Sequence, residues 1–287
     1  MKIPLRGLKQ RIYKGRVKKY FDAGLEFEHQ SETRLELLAR NLSLKSREYV
    51  GRTLAIPSIR AYHDVQGQLS LIDADIFGLV PGDYKEKDFA CAFAIGQVFY
   101  GIKLVDNILD TRQDIPIEDK LKLLYGVNQR VNGDVASVLE ILSSCQIQLV
   151  NRNLLSALRE NAIRSLFSIS NSERLRSSVF IGNNMGMLMY DIMSKYYLMP
   201  SWSEDFLRIQ GETANVFDDL KDIGVDRKRG QGYSLSYMPA LMTTFFEGYL
   251  DLHKTFPDLE ALKRFYSFMT LGIGFQIEEF FGVKSRT

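Results

Sequence analysis

The chain has 287 residues, 45% hydrophobic and 25% charged, enough for one large domain with a substantial buried core. A formal net charge of +2 gives no case for a nucleic-acid partner, and two cysteines and three histidines are too few and too scattered for a disulfide framework, a zinc site or histidine-based catalysis. No run approaches the roughly 18 uninterrupted apolar residues of a membrane span, and the N-terminus lacks a secretory apolar core, so the expectation is a soluble, cytoplasmic protein.

In chain order, a basic segment of about residues 1–20 comes first: Lys2, Arg6, Lys9, Arg11, Lys14, Arg16, Lys18 and Lys19 appear with no acid among them. It reads as a solvated helix face, with peripheral membrane contact or targeting as the second reading. Apolar residues then recur at three- and four-residue spacing almost throughout, as in Val135, Val138, Leu139, Leu142 and Leu149, or Val179, Gly182, Gly186, Met189 and Met193. Turn signals stand at "VPGDY" (80–84), "VNGD" (131–134) and "RGQGYS" (229–234), and the seven prolines fall where periodic segments start or stop. Strand-like alternation is scarce. These features predict an all-α fold of roughly nine to eleven helices in one domain spanning 1–287, with Cys91 and Cys145 as buried thiols.

Two stretches carry the chemistry. In "YGIKLVDNILDTRQD" (100–114) Asp106 and Asp110 stand four apart, sharing one helical face in a very apolar segment where unpaired charge is costly. In "GETANVFDDLKDIGVDRKRG" (211–230) Asp218, Asp219, Asp222 and Asp226 crowd together and Arg227, Lys228 and Arg229 follow. If 205–223 is helical, Asp218 and Asp222 also share a face, with Asp219 adjacent. Hard oxygen ligands without nearby histidine or cysteine suit several Mg²⁺ ions held partly through water, and such ions in turn grip a diphosphate. A solvated acidic helix end paired with the basic run is the alternative for the second stretch alone. Two acidic pairs on two long helices favour a shared cation site.

At these residues the chain resembles the class I isoprenoid synthases, and among them the trans-polyprenyl diphosphate synthases. That family's "FQxxDDxxD" motif, preceded by glycine and followed by "GD" and a "GK" loop, is matched in order by Gly211, Ala214, Asn215, Asp218, Asp219, Asp222, Asp226 and Gly230, with Asn215 in place of glutamine. Its first motif, "DDxxD", is matched by Asp106, Asn107 and Asp110, and the resemblance runs from about Gly51 onward. It implies an isoprenoid (terpenoid) synthase bundle with a central apolar cavity, and a homodimer. Asp106, Asp110, Asp218, Asp222 and Asp226 would be the Mg²⁺ ligands, and Asp106, Asp110, Asp218, Asp219 and Asp222 the catalytic acids. An allylic prenyl diphosphate would be the substrate, bound by Arg52, Arg112, Asn183, Asn215, Arg227, Lys228 and Arg229. Phe99, Tyr100, Met185, Met189 and Phe245 would line the pocket, with Phe93, Tyr190, Phe246, Tyr249, Phe275 and Phe280 as further candidates.

The departures shape the functional expectation. The family builds its isopentenyl diphosphate pocket from "GKRxRP" and an "RR" pair; here "GRTLAIP" keeps only Arg52 and "TRQDIPIED" only Arg112. The "GKT" and "GK" elements become Gly182, Asn183, Asn184 and Gly230, Gln231. Losing cations where an anionic acceptor needs them favours a one-substrate enzyme, a terpene synthase (cyclase) whose allylic cation is attacked by the substrate's own double bonds. A prenyltransferase, elongating or using another acceptor, and a non-catalytic regulatory subunit of a prenyl synthase are the alternatives; squalene and phytoene synthases are further relatives by their "DxxxD" pairs. Asn107 is turned about 100° from Asp106 on a helix, so it supports the site without ligating. Asn107→Asp should therefore change turnover by less than about tenfold while Asp106→Asn costs far more, read by steady-state kinetics over a Mg²⁺ titration.

Overall fold

Prolines and small polar residues set the helix starts. In the computed structural model, which describes residues 15–111, 114–126, 130–145, 152–167, 170–228 and 234–280, these signals produce eleven α-helices. They are α1 (Arg16–Arg40), α2 (Leu44–Leu54), α3 (Pro57–Ile76), α4 (Glu86–Thr111), α5 (Ile117–Leu124), α6 (Gly133–Ser144), α7 (Arg152–Phe167), α8 (Asn171–Met193), α9 (Ser203–Lys228), α10 (Met238–Lys254) and α11 (Leu259–Phe280). Among the described residues there is no strand, and the helices form a single all-α domain. Pro57 opens α3 at a position whose N–H has no helical acceptor to lose, Asn132 caps α6 by accepting from the Asp134 N–H, and Ser170 and Glu173 close a reciprocal capping box on α8. The side chains of Asp110, Asp222, Asp226, Arg227, Lys228, Phe275 and Phe280 lie outside the described residues, as do Arg112, Leu149, Arg229 and residues 1–14.

The core helix is α4. Ala92, Phe93, Ile95, Val98, Phe99, Tyr100, Leu104 and Ile108 are all buried on it, and it packs on α1, α3, α6 and α8. Glu86–Leu109 is long and apolar enough to cross a membrane, but 72% of its apolar window is already buried against the other helices, which is the signature of a central helix. Cys91 and Cys145 are free and buried as expected, and desolvation pushes both thiols up to about 12.

The backbones of α8 and α9 come into direct contact. A Cβ on Gly186 would collide with the Leu207 carbonyl, and one on Gly182 with the Gly211 carbonyl, so the two backbones touch where these glycines meet. Side chains brace the same crossing: Asn215 Nδ2 donates to Ser178 Oγ at 2.7 Å and Asn183 Nδ2 to Glu212 Oε1 at 2.7 Å.

The described end of the basic segment is not the solvated face expected of it. Arg16 Nε and Lys19 Nζ reach the buried Asp75 carboxylate at 3.2 and 2.6 Å, and the Tyr20 hydroxyl donates to it at 2.7 Å. Arg16 also pairs with Glu260 of α11, while Arg264 Nη1 donates to the Asp75 carbonyl at 2.8 Å, so α1 is clamped between α3 and α11. Lys18 alone of these three stays with solvent, paired to Asp22 on its own helix.

Because neither backbone at the α8–α9 crossing can retreat, Gly186→Ala should lose about 3 kcal/mol or more in urea unfolding. Gly82→Ala, with nothing within 4 Å of its Cβ position, should change stability by less than about 1 kcal/mol.

Candidate functional site

The two acidic stretches fall on α4 and α9, and α3 supplies what lies between them. Burial raises the Tyr62 hydroxyl well above the usual phenol range, and the negative charges of Asp106 on α4 and Asp218 on α9 push it further. One phenol thus feels a carboxylate from each expected motif. The Tyr62 ring lies 6.2 Å from that of Phe99, and Lys103 Nζ stands 5.4 Å from its centroid while donating to Asp106 Oδ2 at 2.5 Å. Asp106 is 43% exposed, Asp218 exposed and Asp219 half-buried, so the described acids stand at a rim and not in the core.

Beneath this rim the chain is apolar. Phe99 and Met189 are buried in one cluster with Ile95, Val98, Leu188 and Ile192, and Tyr62, Met185 and Tyr190 pack against it. Tyr100 points elsewhere: one residue on from Phe99 it turns into a second cluster between α2, α4 and α6, where its hydroxyl meets Thr53 Oγ1 at 2.8 Å. Phe93 stacks on Phe27 in a third cluster, with 4.6 Å between centroids. Phe245 packs on Val216, Ile223 and Leu241, whereas Phe246 is exposed on α10.

The expected diphosphate residues that are described have protein partners. Asn183 and Asn215 tie α8 to α9 as given above. Arg52 pairs with Asp134 at 3.1 Å and lies over the Tyr49 ring at 5.6 Å. Of the expected metal ligands, Asp106 and Asp218 share the Tyr62 environment, and Asp110, Asp222 and Asp226 lie outside the described side chains. Among the described residues no three His, Cys, Asp or Glu side chains gather into a metal site. The donor chemistry fits Mg²⁺ all the same: Asp106 on α4 and Asp218 on α9 are hard oxygen donors that both act electrostatically on Tyr62, at a partly exposed rim where water can complete the coordination. A separate open cleft of about 530 Å³ lies between α9 and α10, lined by Trp202, Arg208, Glu212, Asp251 and Lys254 among others; it includes none of the expected site residues. No protein-family model, curated protein or solved structure matches the chain.

Sequence reasoning missed Tyr62, Lys103 and a deeper pair, Asp73 and Gln210. Lys103 was visible in principle, three residues before Asp106 on the same helix. Asp73 lies eleven residues beyond Tyr62 on α3, about three turns or 16 Å along and nearly on the same face. Gln210 Nε2 of α9 donates to its Oδ1 at 3.1 Å, its Oδ2 is buried without a hydrogen-bond partner, and desolvation raises the carboxyl to about 7 despite the Gln210 bond. The native carboxyl holds its proton more tightly than the unfolded one, so stability falls as pH rises through the window from about 4 to 7 and levels off above it. Asp73→Asn removes that dependence. Its stability relative to the parent, from urea midpoints, should improve by on the order of a few kcal/mol between about pH 4 and 8.

Proposed function

We propose that the chain is a Mg²⁺-dependent enzyme of the class I isoprenoid synthase type, which ionises a linear allylic prenyl diphosphate and directs the resulting cation to an intramolecular double bond. The reading is supported by Asp106 and Asp218, from separate helices, both acting electrostatically on the half-buried Tyr62 phenol, which packs on an apolar cluster. Bound Mg²⁺ would supply the positive charge that offsets the diphosphate as the allylic C–O bond breaks. Asp106 and Asp218 hold that charge in place, with Asp110, Asp222 and Asp226 as the remaining candidate ligands. Met185, partly buried on the surface of that cluster, would face the hydrocarbon, with the buried Phe99 and Met189 behind it giving a dry, polarisable wall. Tyr62 favours its neutral form, first because its hydroxyl is desolvated and then because a phenolate would add negative charge near Asp106 and Asp218.

A single-substrate reaction is favoured over prenyl transfer by the sequence of the acceptor stretch, where "GRTLAIP" keeps Arg52 alone of the basic residues that a second diphosphate would need.

Incubation with Mg²⁺ and geranyl, farnesyl or geranylgeranyl diphosphate should release a hydrocarbon or alcohol and inorganic diphosphate, detected by gas chromatography with mass spectrometry. An elongated diphosphate formed only with added isopentenyl diphosphate would identify a prenyltransferase, and no product from any substrate would identify a non-catalytic subunit. Asp218→Ala should reduce turnover by at least about a thousandfold with an unchanged thermal midpoint, since an exposed carboxylate contributes little to folding. Turnover within tenfold of the parent would remove Asp218 from the site.

A further inference from the structure

The ammonium of Lys103 occupies the place where a bound cation would matter. It stands 2.5 Å from Asp106 Oδ2 and 5.4 Å from the centroid of the Tyr62 ring, the same ring whose hydroxyl feels both Asp106 and Asp218. A positive charge therefore already sits beside Asp106 and the Tyr62 ring. We propose that Lys103 is a displaceable counter-ion of this site: it neutralises Asp106 in the metal-free protein and passes to the diphosphate when Asp106 is given over to a divalent cation. This rests on the reading of the acidic rim as a Mg²⁺–diphosphate site.

Three physical features support the exchange. The pair is weak: Lys103 is 30% exposed and Asp106 43% exposed, and ion pairs this wet are worth at most a few-fold in an equilibrium constant, so a divalent cation displaces the ammonium readily. The ammonium is mobile, because a four-carbon stem lets it move several ångströms while α4 stays fixed. It also has a second resting place, since the face of the Tyr62 ring attracts a cation and keeps it at the rim after it leaves the carboxylate. A lysine that only braces its helix would need none of these, and i,i+3 pairs of that kind are common, so the experiment has to separate the two roles.

Opposite signs separate them. In Lys103→Gln a cation competing for Asp106 is gone and a cation available to the anion is gone. Mg²⁺ should bind the substrate-free protein roughly two- to fivefold more tightly, while inorganic pyrophosphate should bind the Mg²⁺-loaded protein at least about tenfold more weakly, both read by isothermal titration calorimetry. Lys103→Arg keeps the charge and should stay within about threefold of the parent on both measures. Glutamine suits a partly exposed helical position, and an unchanged thermal midpoint verifies that the fold is intact. Weaker Mg²⁺ binding in Lys103→Gln, or unchanged affinity for either ligand, overturns the counter-ion and leaves a brace for Asp106. A parent protein that gives no heat with millimolar Mg²⁺ overturns the counter-ion and the metal reading together.

Discussion

Contact between the backbones of α8 and α9 is the constraint on which the rest of the molecule depends. With Gly182 against Gly211 and Gly186 against Leu207, no side chain separates the helices, and neither can slide or rotate without driving carbonyl groups into each other. That fixes the rotation of α9, and with it which of its residues turn toward α3. Asn215 and Asn183 pin the same crossing by hydrogen bonds. Gln210 then meets Asp73 on one side of α9 and Asp218 comes near Tyr62 further along, so close packing in the core sets the position of charge at the rim.

The bundle handles its inward-turned acids in different ways. Asp75 is fully compensated by Arg16, Lys19 and Tyr20, and Asp88 accepts from the Tyr197 hydroxyl and from the Lys85 N–H. Asp64 leans on the buried His63 ring. Asp73 has only an amide on one oxygen and nothing on the other, which is why burial prevails and the proton stays. Asp106 and Asp218 follow none of these patterns. They remain partly in water, with a wet lysine beside Asp106, an arrangement that costs little to leave and little to rearrange.

The all-α class and some helix starts were legible because they follow from local rules: Pro57 and the "VNGD" turn with Asn132 act on the first turns of α3 and α6. The spacing of Asp106 and Asp110 was legible for the same reason, since a period of four needs no tertiary information. Tyr62 was not legible, because its role comes from being approached by two helices that begin about 25 and 140 residues further on, and nothing in "RAYHDVQ" announces that. The basic segment misled in the same way: counting charges found Arg16 and Lys19 but could not supply Asp75, 56 residues beyond Lys19. Phe99 and Tyr100 teach a smaller lesson. Both read as aromatic pocket candidates, yet adjacent helical residues diverge by about 100°, and they serve different clusters.

The clamp on α1 bears on how the protein is made. Arg16 has one partner on α3 and another, Glu260, that follows it by 244 residues. Asp75 and Glu260 are 185 residues apart, so at about 5 to 20 residues per second a ribosome needs roughly 9 to 37 s to deliver the second after the first. Throughout that interval α1 can dock on α3 through Asp75, while the surface that α11 will cover stays open. The nascent chain thus waits, half assembled and with apolar residues uncovered, for α11 to emerge, and a chaperone bound during translation would shield that face until then.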